Sequence, residues 1–341
     1  HVVVSGLLLK DIHDQGDWLE FRLDSKNLAH HCRLTDCKFI ESSEFDPRTK
    51  EARWINLYGE DNELDHCLIV GKKTKGTTAV VWLKDGTEAR HHIHHNHFGF
   101  RQRLGSNGGE ALRVGDSNTS LTTASCLEEE NLFEECNGEV ECISNKSCGN
   151  IYRRNVFLRT QGTLTLRHGH HCIVEENVFV GEGVKHTGGI RIIGEDHIIR
   201  GNYLSGLLGE DARGAIVLQN GIADTPLNGY SPVLRATIEN NTVVNCRQCL
   251  VIGYQDKDAK DATVAPADCT LTGNRFLAGG EETAVHLQHA PVNFTWIDNA
   301  ASGGKLGIGS FDGIHPTSTP ISNPGDPAAA ETVSQSVRTS W

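Results

Sequence analysis

The feature of this sequence that most constrains its fold is a short phrase repeated along much of its length. The phrase is an asparagine followed two residues later by an apolar side chain, and it begins at Asn96, Asn155, Asn177, Asn202, Asn241 and Asn274. Cys37 occupies the asparagine position in an earlier variant of the phrase. Such repetition predicts one structural unit used many times rather than a single irregular core.

A second phrase, a glycine that opens a short alternating strand, runs out of phase with the first. It starts at Gly138, Gly162, Gly188 and Gly214, which lie 24, 26 and 26 residues apart. Short strands at a period in the twenties, without helical periodicity, are typical of a solenoid. Leucine-rich repeats are the main rival, but their leucine phrase is absent. We therefore expect an all-β right-handed parallel β-helix, with the asparagine at a fixed corner because it tolerates left-handed backbone and stacks in ladders.

Alternation along each strand predicts which side chains leave the solenoid. The inward set is Val140, Cys142, Leu164, Leu166, Ile190 and Ile192; the outward set is Glu139, Glu141, Thr163, Thr165, Arg167 and Arg191. Consecutive coils lie about 4.8 Å apart, so acids and arginines distant in sequence should form one surface cluster. Lys146 does not share their parity, and we expect it in a bend at 144–149, reaching back on its long side chain.

These residue types suit elimination chemistry on a uronate polymer. The hydrogen on C5 is removable once a divalent cation neutralises the adjacent carboxylate, and a base and an acid then complete the reaction. Glu139 and Glu141 offer the hard oxygen ligands that calcium prefers, and glycines beside Asn107 permit close backbone approach. His168 could orient the substrate or take part in proton transfer. Each residue also has an ordinary reading as a solvated surface side chain.

Composition narrows the classes of partner. The net charge of −12 argues against nucleic acid, and no apolar run approaches the roughly 20 residues of a membrane span. An acidic polysaccharide would need a local basic groove, and basic residues do concentrate in the middle third: Lys146, Arg153, Arg154, Arg159, Arg167, Arg191 and Arg200. Eleven cysteines without regular spacing form a poor disulfide framework, so we expect mainly buried small residues.

Two further segments lead to structural expectations. In the histidine tract 91–97 the side chains alternate across strand faces with no acidic or cysteine partner nearby in sequence, which favours a surface edge over a zinc site. We assign residues 1–301 to the β-helix catalytic domain and the Gly-, Pro- and Ser-rich residues 302–341 to a cap or tail. The chain opens as if already in a strand, so we expect missing amino-terminal coils, an absent leader, and a secreted or periplasmic protein.

The same residues resemble polysaccharide lyase family 6, which contains alginate lyases and chondroitinase B. The matching phrases, in family order, are Asn107-Gly108-Gly109-Glu110, Gly138-Glu139-Val140-Glu141, Ile143-Ser144-Asn145-Lys146-Ser147, Leu166-Arg167-His168-Gly169 and Gly188-Gly189-Ile190-Arg191. The resemblance implies a Ca²⁺ ion held by Asn107, Glu139 and Glu141. It also implies Lys146 as Brønsted base and Arg167 as Brønsted acid, with His168 and Arg191 on the sugar chain. Cys142, between the metal and base positions, has no role in this scheme.

Alginate is the first expected substrate, because most of the family that the chain resembles acts on alginate. The alternatives are dermatan sulfate cleavage, a β-helical hydrolase such as a polygalacturonase, and a non-catalytic glycan-binding solenoid. A hydrolase would need an Asp cluster that the outward faces lack. Mannuronate or guluronate preference depends on loops that close the groove, including residues 222–232 and 255–266. The oligomeric state stays open.

Overall fold

A computed structural model of the chain describes residues 1–12, 16–42, 51–303, 305–307 and 313–316. Within these residues the one helical element is a short 3-10 turn at Asp211–Arg213. Every strand pairs in parallel with strands of the neighbouring coils. The predicted right-handed parallel β-helix is confirmed.

The strands follow one another along the chain with short turns between them. In chain order they are β1 Val3–Ser5, β2 Leu8–Lys10, β3 Leu19–Glu20, β4 Arg33–Thr35, β5 Lys38–Ile40, β6 Ile55–Leu57, β7 Glu63–Asp65, β8 Leu68–Val70, β9 Ala79–Val81, β10 His92–His94, β11 His97–Arg101, β12 Leu112–Gly115, β13 Leu127–Glu129, β14 Leu132–Cys136, β15 Glu141–Lys146 and β16 Ile151–Arg153. They continue as β17 Val156–Leu158, β18 Thr163–His168, β19 Ile173–Glu175, β20 Val178–Val180, β21 Ile190–Ile192, β22 Ile198–Arg200, β23 Tyr203–Ser205, β24 Ile216–Gln219, β25 Thr237–Glu239, β26 Thr242–Tyr254, β27 Thr270–Thr272, β28 Arg275–Leu287, β29 Thr295–Ile297, β30 Asn299–Ser302 and β31 Ile314–Pro316.

Each coil contributes one strand to each of three walls. Wall 1 contains β1, β4, β7, β10, β13, β16, β19, β22, β25, β27 and β29. The asparagine phrase opens wall 2, which runs from β2 through β14 and β17 to β31. The glycine phrase precedes wall 3, which runs from β3 through β15, β18 and β21 to β24. Strands β26 and β28 bend through both walls 2 and 3. Wall 1, which neither phrase marks, was not predicted.

A continuous ladder of buried asparagines joins the coils at the corner between walls 1 and 2. The Oδ1 atom of Asn177 accepts hydrogen bonds from the backbone N–H of Asn155 at 3.0 Å and from its Nδ2 at 3.1 Å. The ladder members are Asn96, Asn131, Asn155, Asn177, Asn202, Asn241, Asn274 and Asn299. One detail of our expectation was wrong: the left-handed residue is the one before the asparagine, such as Arg154 or Glu176.

The interior is a set of apolar columns running along the solenoid. Phe98, Phe133, Phe157 and Phe179 stack with ring centroids 5.1, 4.9 and 4.3 Å apart. Ten of the eleven cysteines are buried, all eleven lie among the described residues, and none is in a disulfide. Cys142 is one of these core residues, which accounts for its place between the outward acids and Lys146.

One interior position breaks the apolar pattern. Glu128 lies in register between Ile93 and Tyr152 and is fully buried, and neither carboxyl oxygen has a hydrogen-bond partner on another of the described residues. Burial raises the pKa of this carboxyl well above its ordinary value and so favours its neutral, protonated form.

Two findings bear on the ends of the chain and on membranes. Beyond β30, strand β31 pairs in parallel with Asn299–Ala301, and most of the predicted cap or tail at 302–341 lies outside the described residues. Among the residues that the structure describes, no helix has the length and apolar character needed to cross a bilayer.

The asparagine ladder gives a first prediction. Asn155→Ala removes the acceptor of two hydrogen bonds from Asn131 and the side-chain donor to the buried carbonyl of Glu128. Because buried polar groups that lose their partners are costly, we expect the free energy of unfolding to fall by about 3 kcal/mol in denaturant titrations. Asn118→Ala, at an exposed turn, is the matched control and should unfold like the parent chain. Equal losses in both variants would contradict the role of the ladder.

The buried acid gives a second prediction. In the unfolded chain Glu128 loses its proton above a pH of about 4.5, whereas the folded chain keeps it to a higher pH. Stability should therefore fall as the pH rises from that value towards the folded pKa, by about 1.4 kcal/mol per pH unit. The side chain of the Glu128→Gln variant cannot ionise. The unfolding free energy of this variant should therefore fall less steeply with rising pH than that of the parent chain. Parallel pH profiles of the two proteins would contradict a protonated Glu128.

Candidate active site on wall 3

The predicted acidic pair lies where the chain enters wall 3. Glu141 is the first residue of β15, whereas Glu139 lies in the bend before it, so the strand begins later than its glycine suggested. Glu141 is in register with Thr163, and the register shifts at Cys142, where one extra residue enters β15. This bulge keeps Glu141 outward while Cys142 joins the core.

The Glu139 carboxylate is held by a glycine loop from the preceding coil. Its Oε1 atom accepts hydrogen bonds from the backbone N–H groups of Gly108 at 3.0 Å and Gly109 at 2.9 Å. The buried Arg101 fixes this loop by donating to the carbonyls of both glycines, at 2.7 and 2.6 Å. Asn107 precedes the loop with an exposed side chain. The loop thus holds Glu139 next to the segment that Asn107 begins, and the role of Asn107 as a metal ligand stays a prediction.

A third carboxylate, which our prediction of the metal ligands omitted, completes the acidic cluster. Glu110 follows the glycine loop, is buried, and shares a hydrogen bond with Glu139. Burial, with Glu110 and Glu141 nearby, raises the pKa of Glu139 to about 8. By contrast the pKa of Glu110 is lowered, against its burial, by backbone and Thr77 hydrogen bonds and by Arg113. Two converging carboxyls that share a proton are the arrangement that a hard divalent cation would relieve, so the residues present fit calcium.

Lys146 lies on the same strand as Glu141, at the opposite end of β15. It is the last residue of β15 rather than part of a bend, so that expectation was wrong. A second register shift, between Asn145 and Lys146, sets Lys146 beside Gly115 on one coil and His168 on the next. The lysine is half-buried, and its positive charge is among the causes that lower the pKa of His168.

Arg167 and His168 end the next strand of wall 3, β18. The guanidinium of Arg167 lies 4.0 Å from the ring centre of Tyr230 and donates to the Gly229 carbonyl at 3.0 Å. Burial lowers the pKa of Arg167. Burial, with Arg167 and Lys146 nearby, lowers the pKa of His168 to about 3, so the imidazole is neutral.

Arg191 is the arginine that lies next to the acidic cluster, beside Glu141. It lies on β21 in register with Thr165, and its Nη1 atom is 3.8 Å from Oε1 of Glu141. Gln219 accepts a hydrogen bond from its Nε at 2.7 Å, and Asp256 lies 3.7 Å from its Nη2. The arginine is only 3% exposed, which leaves its charge in a low-dielectric setting.

Each of the two loops expected to close the groove places a side chain beside one of these arginines. Tyr230 lies beside Arg167, and Asp256 lies beside Arg191. Tyr230 belongs to residues 222–232 and donates from its hydroxyl to Asp256, which belongs to residues 255–266, at 3.1 Å. The sequence predicted that these loops close the groove but did not predict which of their residues do so, because loop residues follow no repeat. Glu110, in contrast, stood within a matched phrase and could have been included.

Comparisons with known proteins decide the family. The family model described as Chondroitinase B matches residues 1–305. The chain belongs to polysaccharide lyase family 6. No curated protein matches the chain.

Solved structures of this polysaccharide lyase family 6 are similar over nearly the whole chain. The PL6 family alginate lyase AlyGC is 37% identical with a TM-score of 0.87, and the match covers 96% of this chain and 46% of that one. A mannuronic acid specific family 6 lyase from human gut microbiota is 26% identical with a TM-score of 0.81, covering 99% and 85%. A PL6 alginate lyase in complex with a trisaccharide is 28% identical with a TM-score of 0.72, covering 80% and 65%. This chain spans less than half the length of the AlyGC chain.

The neutral state of His168 is open to direct measurement. Because its pKa lies at about 3, the imidazole should show no protonation step between pH values of about 5 and about 8 in histidine-selective NMR. His168→Gln identifies the resonance by its loss. A His168 transition near neutral pH would contradict the buried position beside two cationic side chains.

Proposed function

We propose that the chain is an alginate lyase that cleaves its substrate by calcium-assisted β-elimination. The single observation that carries the proposal is the arrangement on wall 3. Three carboxylates, one lysine and two arginines from successive coils surround one stretch of surface, linked by the 3.8 Å approach of Arg191 to Glu141. The similarity to alginate lyases supports the choice of substrate.

Calcium would be held by Asn107, Glu139 and Glu141, with Glu110 as a further oxygen ligand. A bound calcium ion would neutralise the uronate carboxylate and make the C5 hydrogen more acidic. The glycine loop keeps the Glu139 oxygens in place through two backbone hydrogen bonds. Arg191, beside Glu141, would pair with the substrate's carboxylate or hydroxyl groups.

Lys146 and Arg167 would carry out the proton transfers. Lys146 in its neutral form accepts the C5 proton on Nζ, and the electrons of that C–H bond form the C4–C5 double bond as the C4–O4 bond breaks. Arg167 shares a guanidinium proton with the departing O4, for which its lowered pKa is the favourable direction. The products are a new hydroxyl end and a 4,5-unsaturated uronate end, and exchange with solvent restores both side chains.

His168 would bind rather than transfer protons. Its neutral imidazole lies between Arg167 and Ser117, with Nε2 3.3 Å from the serine oxygen. A neutral ring can accept a hydrogen bond from a sugar hydroxyl or donate one to it without adding charge beside the base.

The size of the substrate bears on where the protein acts. Since polymeric alginate does not cross membranes unaided, we propose that the reaction occurs outside the cytoplasm and that the protein is secreted or periplasmic.

Dermatan sulfate is the second candidate substrate, favoured by the family model described as Chondroitinase B. It requires the same elimination at a uronate, with sulfate-binding cations beside it. The net charge of −12 and the pairing of many surface arginines with acids, as in Arg159 with Glu134 and Arg200 with Glu175, favour the unsulfated polymer.

The proposal predicts the behaviour of one variant and its control. Lys146→Ala should lower kcat on alginate by about 10³-fold, because it removes the proton acceptor, with binding little changed. Lys185→Ala, which alters an exposed lysine elsewhere, should retain full activity. The assay follows the ultraviolet absorbance of the unsaturated uronate on poly-mannuronate, poly-guluronate and dermatan sulfate.

Chelation supplies the second arm of that experiment. Removal of calcium should abolish the absorbance increase, and added calcium should restore it. Reducing ends without absorbance would identify a hydrolase, and neither signal with retained polymer binding would identify a binding protein. Native-rate cleavage by Lys146→Ala would exclude this lysine as the base.

A further inference from the structure

The middle of the histidine tract, His92–His94, forms strand β10 of wall 1, a different wall from that of the candidate active site. His92 and His94 are the first and last residues of β10 and share one face of the strand. Their rings pack with centroids 4.0 Å apart. No acidic residue lies near the tract in sequence, but the fold brings acidic partners to it from adjacent coils.

Glu63 on the preceding coil lies directly opposite His92 in the parallel register. Its Oε1 atom is 2.8 Å from Nε2 of His94. One ligand atom from each of Glu63, His92 and His94 can be chosen so that all three lie within 4.8 Å of one another. Two imidazoles and one carboxylate within this distance form a ligand set that suits zinc.

The neighbouring side chains hold these ligands in place. Glu129, on the following coil, lies 2.9 Å from Nε2 of His92, and Nδ1 of His95 lies 2.8 Å from Nδ1 of His94. The other oxygen of Glu63 is 3.5 Å from Nε of Arg33. Carboxylates and other acceptors that orient metal-bound imidazoles are a regular part of zinc sites.

We propose that Glu63, His92 and His94 bind a zinc ion that links two coils of wall 1. Ligand atoms of a tetrahedral zinc ion lie about 3.3 Å apart, so the Glu63 and His94 atoms need to separate by only about half an ångström. The ion replaces the proton that the two side chains share, and water completes the coordination. The role is structural, since the site lies on a different wall from the acids and Lys146.

The test uses the whole chain, freed of metals and kept in excess calcium so that the acidic cluster of wall 3 is filled. Zinc binding is measured by calorimetry, and cobalt serves as the spectroscopic probe. We expect one zinc equivalent whose affinity falls at least about 100-fold in the double variant His92→Gln, His94→Gln and at least about 10-fold in Glu63→Gln. Cobalt should give the intense visible bands of tetrahedral coordination in the parent chain.

His171→Asn is the matched control. It removes one exposed histidine at a corner of wall 1, where asparagine accepts the left-handed backbone, and it should bind zinc like the parent chain. Circular dichroism of the metal-free variants checks the fold. The proposal is overturned if zinc binds the double variant or Glu63→Gln as it binds the parent chain, if the parent takes up no zinc, or if its cobalt spectrum shows only weak octahedral bands. None of these outcomes depends on lyase activity.

Discussion

The structure depends on the vertical register between coils. Backbone hydrogen bonds of parallel strands set the spacing at about 4.8 Å, and the buried asparagine ladder repeats the same register through side chains from Asn96 to Asn299. Because each ladder amide is fully buried, a slip of one residue would leave several polar groups without partners. This requirement makes the positions of outward side chains on neighbouring coils dependable, and every functional cluster described above is built from such neighbours.

On wall 3 the same register brings buried charged side chains from neighbouring coils close together. Burial of any one of these charges without a partner would be energetically unfavourable. Burial and the approach of Glu110 and Glu141 raise the pKa of Glu139 to about 8, while Arg191 lies almost fully covered beside Glu141. The acids and the arginines therefore compensate each other only in part. A cation among the acids and an anionic sugar among the bases would satisfy both sets at once. This complementarity is the physical basis for the proposal of an acidic polysaccharide as substrate.

The sequence predicted the solenoid, the outward set of wall 3 and the two covering loops, because each rests on a period or on a matched phrase. It did not predict wall 1, whose strands are three residues long and mostly bury a single apolar residue at the centre, such as Ile93 or Val174, which is too short a pattern to show a period. The bulges that place Glu141 and Lys146 are backbone events without a residue signature. The acidic partners of the histidine tract were missed for a simpler reason: Glu63 is adjacent to His92 only after the chain has completed a coil.

The central claim is that the acids, Lys146 and Arg167 act on a single sugar ring. The most direct measurement is a crystal structure of a catalytically inactive variant with calcium and an alginate oligosaccharide. The account predicts that one uronate carboxylate lies on a cation held by Glu139 and Glu141, with C5 of that ring facing position 146 and O4 facing Arg167. An oligosaccharide bound on another wall, or a ring whose C5 faces away from position 146, would contradict it.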